Sequence, residues 1–297
     1  MDKFRQKIHK VISSLQEQEI TMKALFKYIR QGKLDDVKRI LSKNPELISC
    51  TATAPPKKDE GQSSLQVAIK SDNAEVADLL LDWGADVNFM EDHVFYEGDL
   101  RAPVLYDAIG QVFLGWGMAT SSWYARNDKY LALVSRLLEL GANPNKTDSS
   151  DKSAWYWVLE QYRSFIYARE KGDYDYEIQT EKNSRYLELA TRLFKQLAAY
   201  GADVFFIPAW FFEKDAEGSW SDERQALYNL ICNRPITDGF AGHFQLEKFE
   251  KDAYYKWNLI EPILRPYYQQ DNPYYGGTAR KEKETFFHQF EKRENRQ

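Results

Sequence analysis

Cysteine is nearly absent, with Cys50 and Cys232 the two thiols in 297 residues. Two thiols close at most one bridge. That excludes a disulfide framework and makes a reducing cytoplasm the expected compartment. Long apolar runs are missing as well. No stretch approaches the roughly 20 apolar residues of a membrane span, and the opening, Met1 to Lys10, is charged and has no apolar segment of a secretion signal. An excess of positive charge is also missing, since the formal net charge is -5. This balance argues against a nucleic-acid binder with a basic face and against a polybasic membrane-surface protein.

The chain also lacks an arrangement of residues with recognisable chemistry. His9, His93, His243 and His288 are each without a second His or a Cys at metal-ligand spacing. No metal and no cofactor is therefore expected. Cys232 and His243 are the one pair that could meet as nucleophile and base, and they have no orienting third group or local signature. Gly110 and Gly115 are not followed by the lysine of a phosphate loop. Asp173 and Asp175 lie in a Gly-Asp-Tyr-Asp-Tyr-Glu stretch that reads as a solvated loop, not a pair of converging acids.

What is present is a repeat. Ser63-Ser64-Leu65-Gln66-Val67-Ala68-Ile69 opens a helix, Asp72-Asn73 makes a turn, and Val76, Leu79, Leu80 and Leu81 mark a second helix. The unit stops at Gly84-Ala85-Asp86-Val87-Asn88. A glycine there suits the left-handed residue after a helix C-terminus, and the Asp and Asn that follow are turn formers. The ending returns as Gly141-Ala142-Asn143-Pro144-Asn145 and as Gly201-Ala202-Asp203-Val204. The opening returns as Val104-Leu105-Tyr106-Asp107-Ala108-Ile109 and as Ser153-Ala154-Trp155-Tyr156-Trp157-Val158. An N-terminal copy runs from Ala24 to Leu41, with Asn44-Pro45-Glu46-Leu47 in place of the glycine ending.

This pattern resembles the ankyrin repeat, whose period is about 33 residues and whose first helix opens Thr-Pro-Leu-His-x-Ala. The resemblance covers residues 21–204. It implies an all-α, ankyrin-type helical solenoid with short turn or hairpin connections, closed by a helical C-terminal cap. The family's Thr is replaced by Lys23, Ser63, Pro103 and Ser153, and its His by Phe26, Gln66, Tyr106 and Tyr156. Its Thr-His brace is therefore expected to be absent or altered. Gly84 and Gly141 are 57 residues apart, and Gly141 and Gly201 are 60 apart. Against the family period these distances contain inserts of about 24 and 27 residues. The inserts fall near 90–102, 110–130 and 165–190, and they lengthen helix pairs. Residues 1–20 read as an N-terminal helix or cap, 205–270 as a degenerate repeat and helical cap, and 271–297 as a charged tail.

In the resembled family, partners contact the turn tips and the exposed side of the first helices. Carried over by alignment, those positions are Arg30, Gln31, Lys70, Ser71, Gln111, Thr147, Ser149, Ser150, Lys152, Glu160 and Gln161. Their mixed charge suits a protein surface better than a polyanion. Trp116 and Trp123 join them as anchors from an insert with no clean helical periodicity. The aromatics of the two inserts serve equally well as a satellite core or as a wall of anchors. The leading expectation is a cytoplasmic, non-catalytic scaffold for a protein partner, binding no nucleic acid, membrane or metal. Two alternatives stand beside it: an inhibitor or immunity-type protein that neutralises a toxin or enzyme, and an enzyme with a site in residues 205–297.

Overall fold

The computed structural model describes residues 2–91, 100–114, 121–167, 176–203 and 206. The chain divides into two compact units, Met1–Asn143 and Pro144–Gln297. Among the described residues of the first unit there are six α-helices: α1 (Asp2–Arg30), α2 (Leu34–Lys43), α3 (Ser64–Lys70), α4 (Ala74–Asp82), α5 (Val104–Phe113) and α6 (Ser121–Glu139). The second unit contributes α7 (Ala154–Tyr167) and α8 (Tyr176–Ala199).

In the first unit, α1 pairs with α2, α3 with α4 and α5 with α6. The first helices stack as α1 on α3 on α5, and the second helices as α2 on α4 on α6. Each pair buries one face against its neighbours. Leu25 and Ile29 of α1, Leu65 and Ile69 of α3, and Val104 and Ile109 of α5 form one row of the core. Leu41 of α2, Leu80 of α4 and Leu131, Val134 and Leu137 of α6 form the other. In the second unit α7 packs on α8, with Trp155 and Phe194 fully buried and their ring centroids 4.7 Å apart.

One backbone closure is used five times. In each, the residue after the helix takes positive φ and donates to the carbonyl three back, and the next residue donates to the carbonyl five back. This is the Schellman pattern, and it satisfies carbonyls that the helix end leaves open. The positive-φ residues are Gly32, Asp72, Gly84, Gly141 and Gly201. At Gly141, for example, φ is 93°, Gly141 N donates to Leu138 O at 3.0 Å and Ala142 N donates to Leu137 O at 2.9 Å. The positive φ expected of Gly84, Gly141 and Gly201 is thus present. The first repeat closes differently. Asn44 donates from both its backbone N and its Nδ2 to Ile40 O, and a short 3-10 turn follows at Pro45–Ser49.

The helices differ greatly in length. α3 and α4 have 7 and 9 residues, whereas α6 and α8 have 19 and 24. Residues 121–130 and 176–190 of the inserts therefore lie within helices. α1 runs unbroken across positions 20 and 21, so the N-terminal segment and the first repeat share one helix. Residues 92–99, 115–120, 168–175, 204–205 and 207–297 lie outside the description, and with them the 205–270 cap and the 271–297 tail.

Candidate functional site

The local backbone chemistry of α3 sets the geometry of the site. Ser63 Oγ accepts from Gln66 N, and Gln66 Oε1 accepts from Ser63 N, each at 3.2 Å. This reciprocal pair is a capping box. Gln66 is fully buried, and its Nε2 also donates to Ala102 O at 3.1 Å and to Glu91 Oε2 at 3.3 Å. The family's Thr-His brace is therefore altered, and not absent. Serine and glutamine supply the acceptor and donors instead, and glutamine reaches on to the stretch of chain that leads into α5. The opening of α7 keeps half of the device, with Tyr156 N donating to Ser153 Oγ at 3.2 Å.

The last residues of α1, α3 and α5 form a row, because these helices stack. It contains Arg30 and Gln31, then Lys70 and Ser71, then Gln111. Arg30 Nη1 donates to Asp59 Oδ2 at 2.9 Å, and the Asp59 side chain is only 5% exposed. That contact pins the Thr51–Gln62 connection, which buries Ala52, Asp59 and Gln62. Lys70 Nζ lies 3.8 Å from Glu91 Oε1 and 3.5 Å from Asp107 Oδ1. Gln111 accepts from Arg126 twice, at its carbonyl (2.7 Å) and at its side-chain oxygen. Gln31 is exposed and Ser71 half-buried. Three of the five residues in this row are thus committed to internal ion pairs or hydrogen bonds, which fix the shape of the row, and Gln31 and Lys70 are its exposed members.

Arg126 is a residue that sequence reasoning did not single out. Its Nε lies 2.9 Å from Asp72 Oδ1. Its guanidinium carbon sits 5.1 Å from the Trp123 ring centroid and 4.9 Å from that of Tyr130. Tyr130 OH in turn donates to Ile69 O at 3.4 Å. Burial, reinforced by the nearby Asp72, holds the Tyr130 phenol far above its ordinary range. Trp123 is half-buried against this arginine, so it takes part in the packing at the start of α6. Further along, Lys129 pairs with Glu75, and Arg136 pairs with Asp78 and Asp82. Part of this pattern is visible in sequence, since the acids at 75, 78 and 82 of α4 and the bases at 129 and 136 of α6 each recur at helical spacing. Trp116 lies outside the described residues.

In the second unit, Thr147, Ser149, Ser150 and Lys152 belong to a turn organised by Asp148. Asp148 Oδ1 accepts from Ser150 N at 2.8 Å and from Lys152 N at 3.0 Å, and Asp148 N donates to Lys152 O at 3.0 Å. Asp151 in this turn has φ of 56°, where the matching turn before α3 has Gly61 at 80°. Glu160 and Gln161 lie on α7. Gln161 is half-buried, and the Glu160 side chain is outside the description. Among the described residues no three His, Cys, Asp or Glu side chains group to hold a metal ion, and no helix is long and apolar enough to cross a membrane. His93, His243, His288, Cys232, Asp173 and Asp175 lie outside the described residues.

Helix pairs that in the first unit stack first on first and second on second, with one closure recurring at five helix ends, define an all-α, ankyrin-type fold. Residues 60–92 match the family model for the ankyrin repeat, a protein–protein interaction module. This span contains the capping box, α3, α4 and the glycine ending. No curated protein matches the chain.

Proposed function

We propose that the chain is a cytoplasmic, non-catalytic scaffold that holds a protein partner along the C-terminal ends of α1, α3 and α5. The observation that carries this reading is the ankyrin repeat at 60–92 together with the row that its first helix shares with its neighbours. Gln31, Ser71 and the rim around Lys70 supply polar register, and Trp123 supplies an aromatic edge. In the second unit the turn at Thr147, Ser149, Ser150 and Lys152, with Glu160 and Gln161 on α7, is the corresponding surface. Mixed polarity with a few aromatic anchors suits a protein partner, because such interfaces gain affinity from buried anchors and specificity from the polar rim.

The test is affinity capture from the native cell, with the wild-type chain beside a Gln31→Glu, Ser71→Arg double variant. Both positions carry no core side chain, so the variant keeps the fold. The expected result is a protein captured by the wild type and lost from the variant. Identical captures, or none from either chain with folding confirmed, would overturn this surface as the binding site.

A further inference from the structure

α1 is longer than the stack requires. Leu25, Phe26 and Ile29 are buried where α1 packs on α2 and α3. Residues 15–20 are all exposed, and a stretch of that length covers more than one full turn of a helix. No face of α1 is covered there, and Leu15 and Ile20 are 59% and 67% exposed. The helix nonetheless continues back to Asp2. Its sequence carries Phe4, Ile8, Val11 and Leu15 at alternating spacings of four and three. Gln18 holds the next place, and Met22, Leu25 and Ile29 continue the same series into the stack. Such a series is the seam of a coiled coil. Within the stack, Leu25 and Ile29 of this seam are fully covered, whereas Leu15 is not.

We propose that the N-terminal half of α1 pairs antiparallel with the same helix of a second copy of this chain, making the protein a dimer. Charge selects the occupant. Residues 2–10 hold Lys3, Arg5, Lys7 and Lys10 against the single acid Asp2, whereas residues 11–20 hold Glu17 and Glu19 and no base. A seam that is basic at one end and acidic at the other complements its own reverse. Two copies aligned in parallel would instead bring like charges together. In the reversed register, Val11 of one copy stands level with Leu15 of the other, Ile8 with Gln18, and Arg5 with Glu19 beside the seam. Such an interface is isologous, so each pair occurs twice and the assembly closes at two chains. Glu19 Oε1 also accepts from Lys23 Nζ at 2.6 Å within α1. Both of those side chains are about half exposed, and an exposed pair of this kind contributes little, so Glu19 stays open to a base across the seam. Helices in proteins are stabilised chiefly by packing an apolar face, which the second copy supplies to this stretch.

The experiment follows the molar mass of the full chain by sedimentation equilibrium across a concentration series, with thermal melting of each variant as the folding control. The wild type should approach twice the mass of one chain as concentration rises. Leu15→Glu alters an exposed position, so it should melt as the dilute wild type does and stay a single chain. Arg5→Glu and Glu19→Arg should each weaken the dimer roughly fivefold or more, because two exposed ion pairs are lost and like charges meet. The double exchange Arg5→Glu, Glu19→Arg should restore the dimer, a readout that stands even where Leu15→Glu folds poorly. In a parallel pair these two positions do not meet, so failure of the double exchange to restore the dimer overturns the antiparallel pairing. A wild type that is a single chain at every concentration, its stripe then left to another segment of the same chain or to a different partner, overturns the proposal. So does a dimer that Leu15→Glu leaves intact.

Discussion

The side chain of Asn73 lies across the backbone of Gly32. Its Nδ2 donates to Ile29 O at 2.9 Å and to Arg30 O at 3.2 Å, capping the end of α1 from the following repeat. A Cβ on Gly32 would sit 2.6 Å from Asn73 Oδ1, so the turn of one repeat and the cap supplied by the next exclude a side chain there together.

Two glycines at similar φ should therefore differ. Gly32→Ala meets both backbone strain and this overlap, and should cost about 2 kcal/mol or more. Gly141→Ala meets open space and should cost about 1 kcal/mol from its backbone alone. Gly141→Val should cost more, because a β-branched residue is strained at positive φ. Urea unfolding of each variant gives the comparison. In a double-mutant cycle, Asn73→Ala should relieve part of the Gly32→Ala cost; strictly additive losses would show that the overlap is not what sets it.

Arg126 ties the start of α6 to the Asp72 turn and to the end of α5. Arg126→Met should lower stability by about 1–3 kcal/mol, since it leaves the part-buried Gln111 carbonyl short of a donor and removes the cation from two rings. Arg126→Lys should recover little of this, because an ammonium cannot reach Asp72 and Gln111 while lying flat on Trp123 and Tyr130. Melting temperatures of the three proteins decide it.

The helix pairs and their stops were legible in sequence because a closure with positive φ is a local demand that glycine answers visibly. Gly84, Gly141 and Gly201 announce themselves, and Asp72 does so through the Asp-Asn pair. Contacts between repeats were less legible. Arg126 meets Asp72 from a different helix pair, and no spacing rule within one helix reaches that far. Gln66 was read by its difference from the family's histidine. Asking what its amide can donate and accept would have found the capping box and the reach to Ala102. The carried-over positions Arg30, Lys70 and Gln111 lie in the last turns of α1, α3 and α5, but the alignment says nothing of Asp59, Asp107 or Arg126, which these side chains meet.

The two asparagines that end the glycine motifs do the same work in each unit. Asn88 Nδ2 donates to Gly141 O at 2.9 Å while its Oδ1 accepts from Asn143 N at 2.7 Å. Asn145 makes the same two bonds with Gly201 O at 2.8 Å and Asp203 N at 2.7 Å. Asn88→Asp and Asn145→Asp keep the acceptor and the shape, but set a carboxylate oxygen against a carbonyl. Each should cost about 1–3 kcal/mol, measured by urea unfolding at neutral pH. The loss should shrink below the ordinary carboxylate range, where the protonated acid regains a donor. A loss independent of pH would indicate that the donor bond contributes little.

The last prediction separates binding from folding. Asp148 Oδ1 holds its turn by accepting from the backbone N–H of Lys152. Lys152→Ala leaves that backbone bond in place, so the turn should keep its fold while partner capture weakens. Asp148→Ala removes two charge-assisted bonds and should cost about 1–3 kcal/mol. Trp123 stands between these cases. Its ring supports Arg126, yet it remains half-exposed, so Trp123→Ala should lower both the melting temperature and capture. An interface anchor loses about 2 kcal/mol or more of binding on truncation, and Trp116→Ala belongs in the same series as its neighbour in the insert. The comparison that decides is Trp123→Phe, which keeps a ring face for Arg126 and discards the indole N–H. If Trp123→Phe restores the melting temperature but not capture, the indole faces a partner. If it restores both, the ring serves the packing of α6, and the binding surface lies instead with Gln31 and the Asp148 turn. If Lys152→Ala unfolds the protein or binds as the wild type does, that turn is scaffold as well.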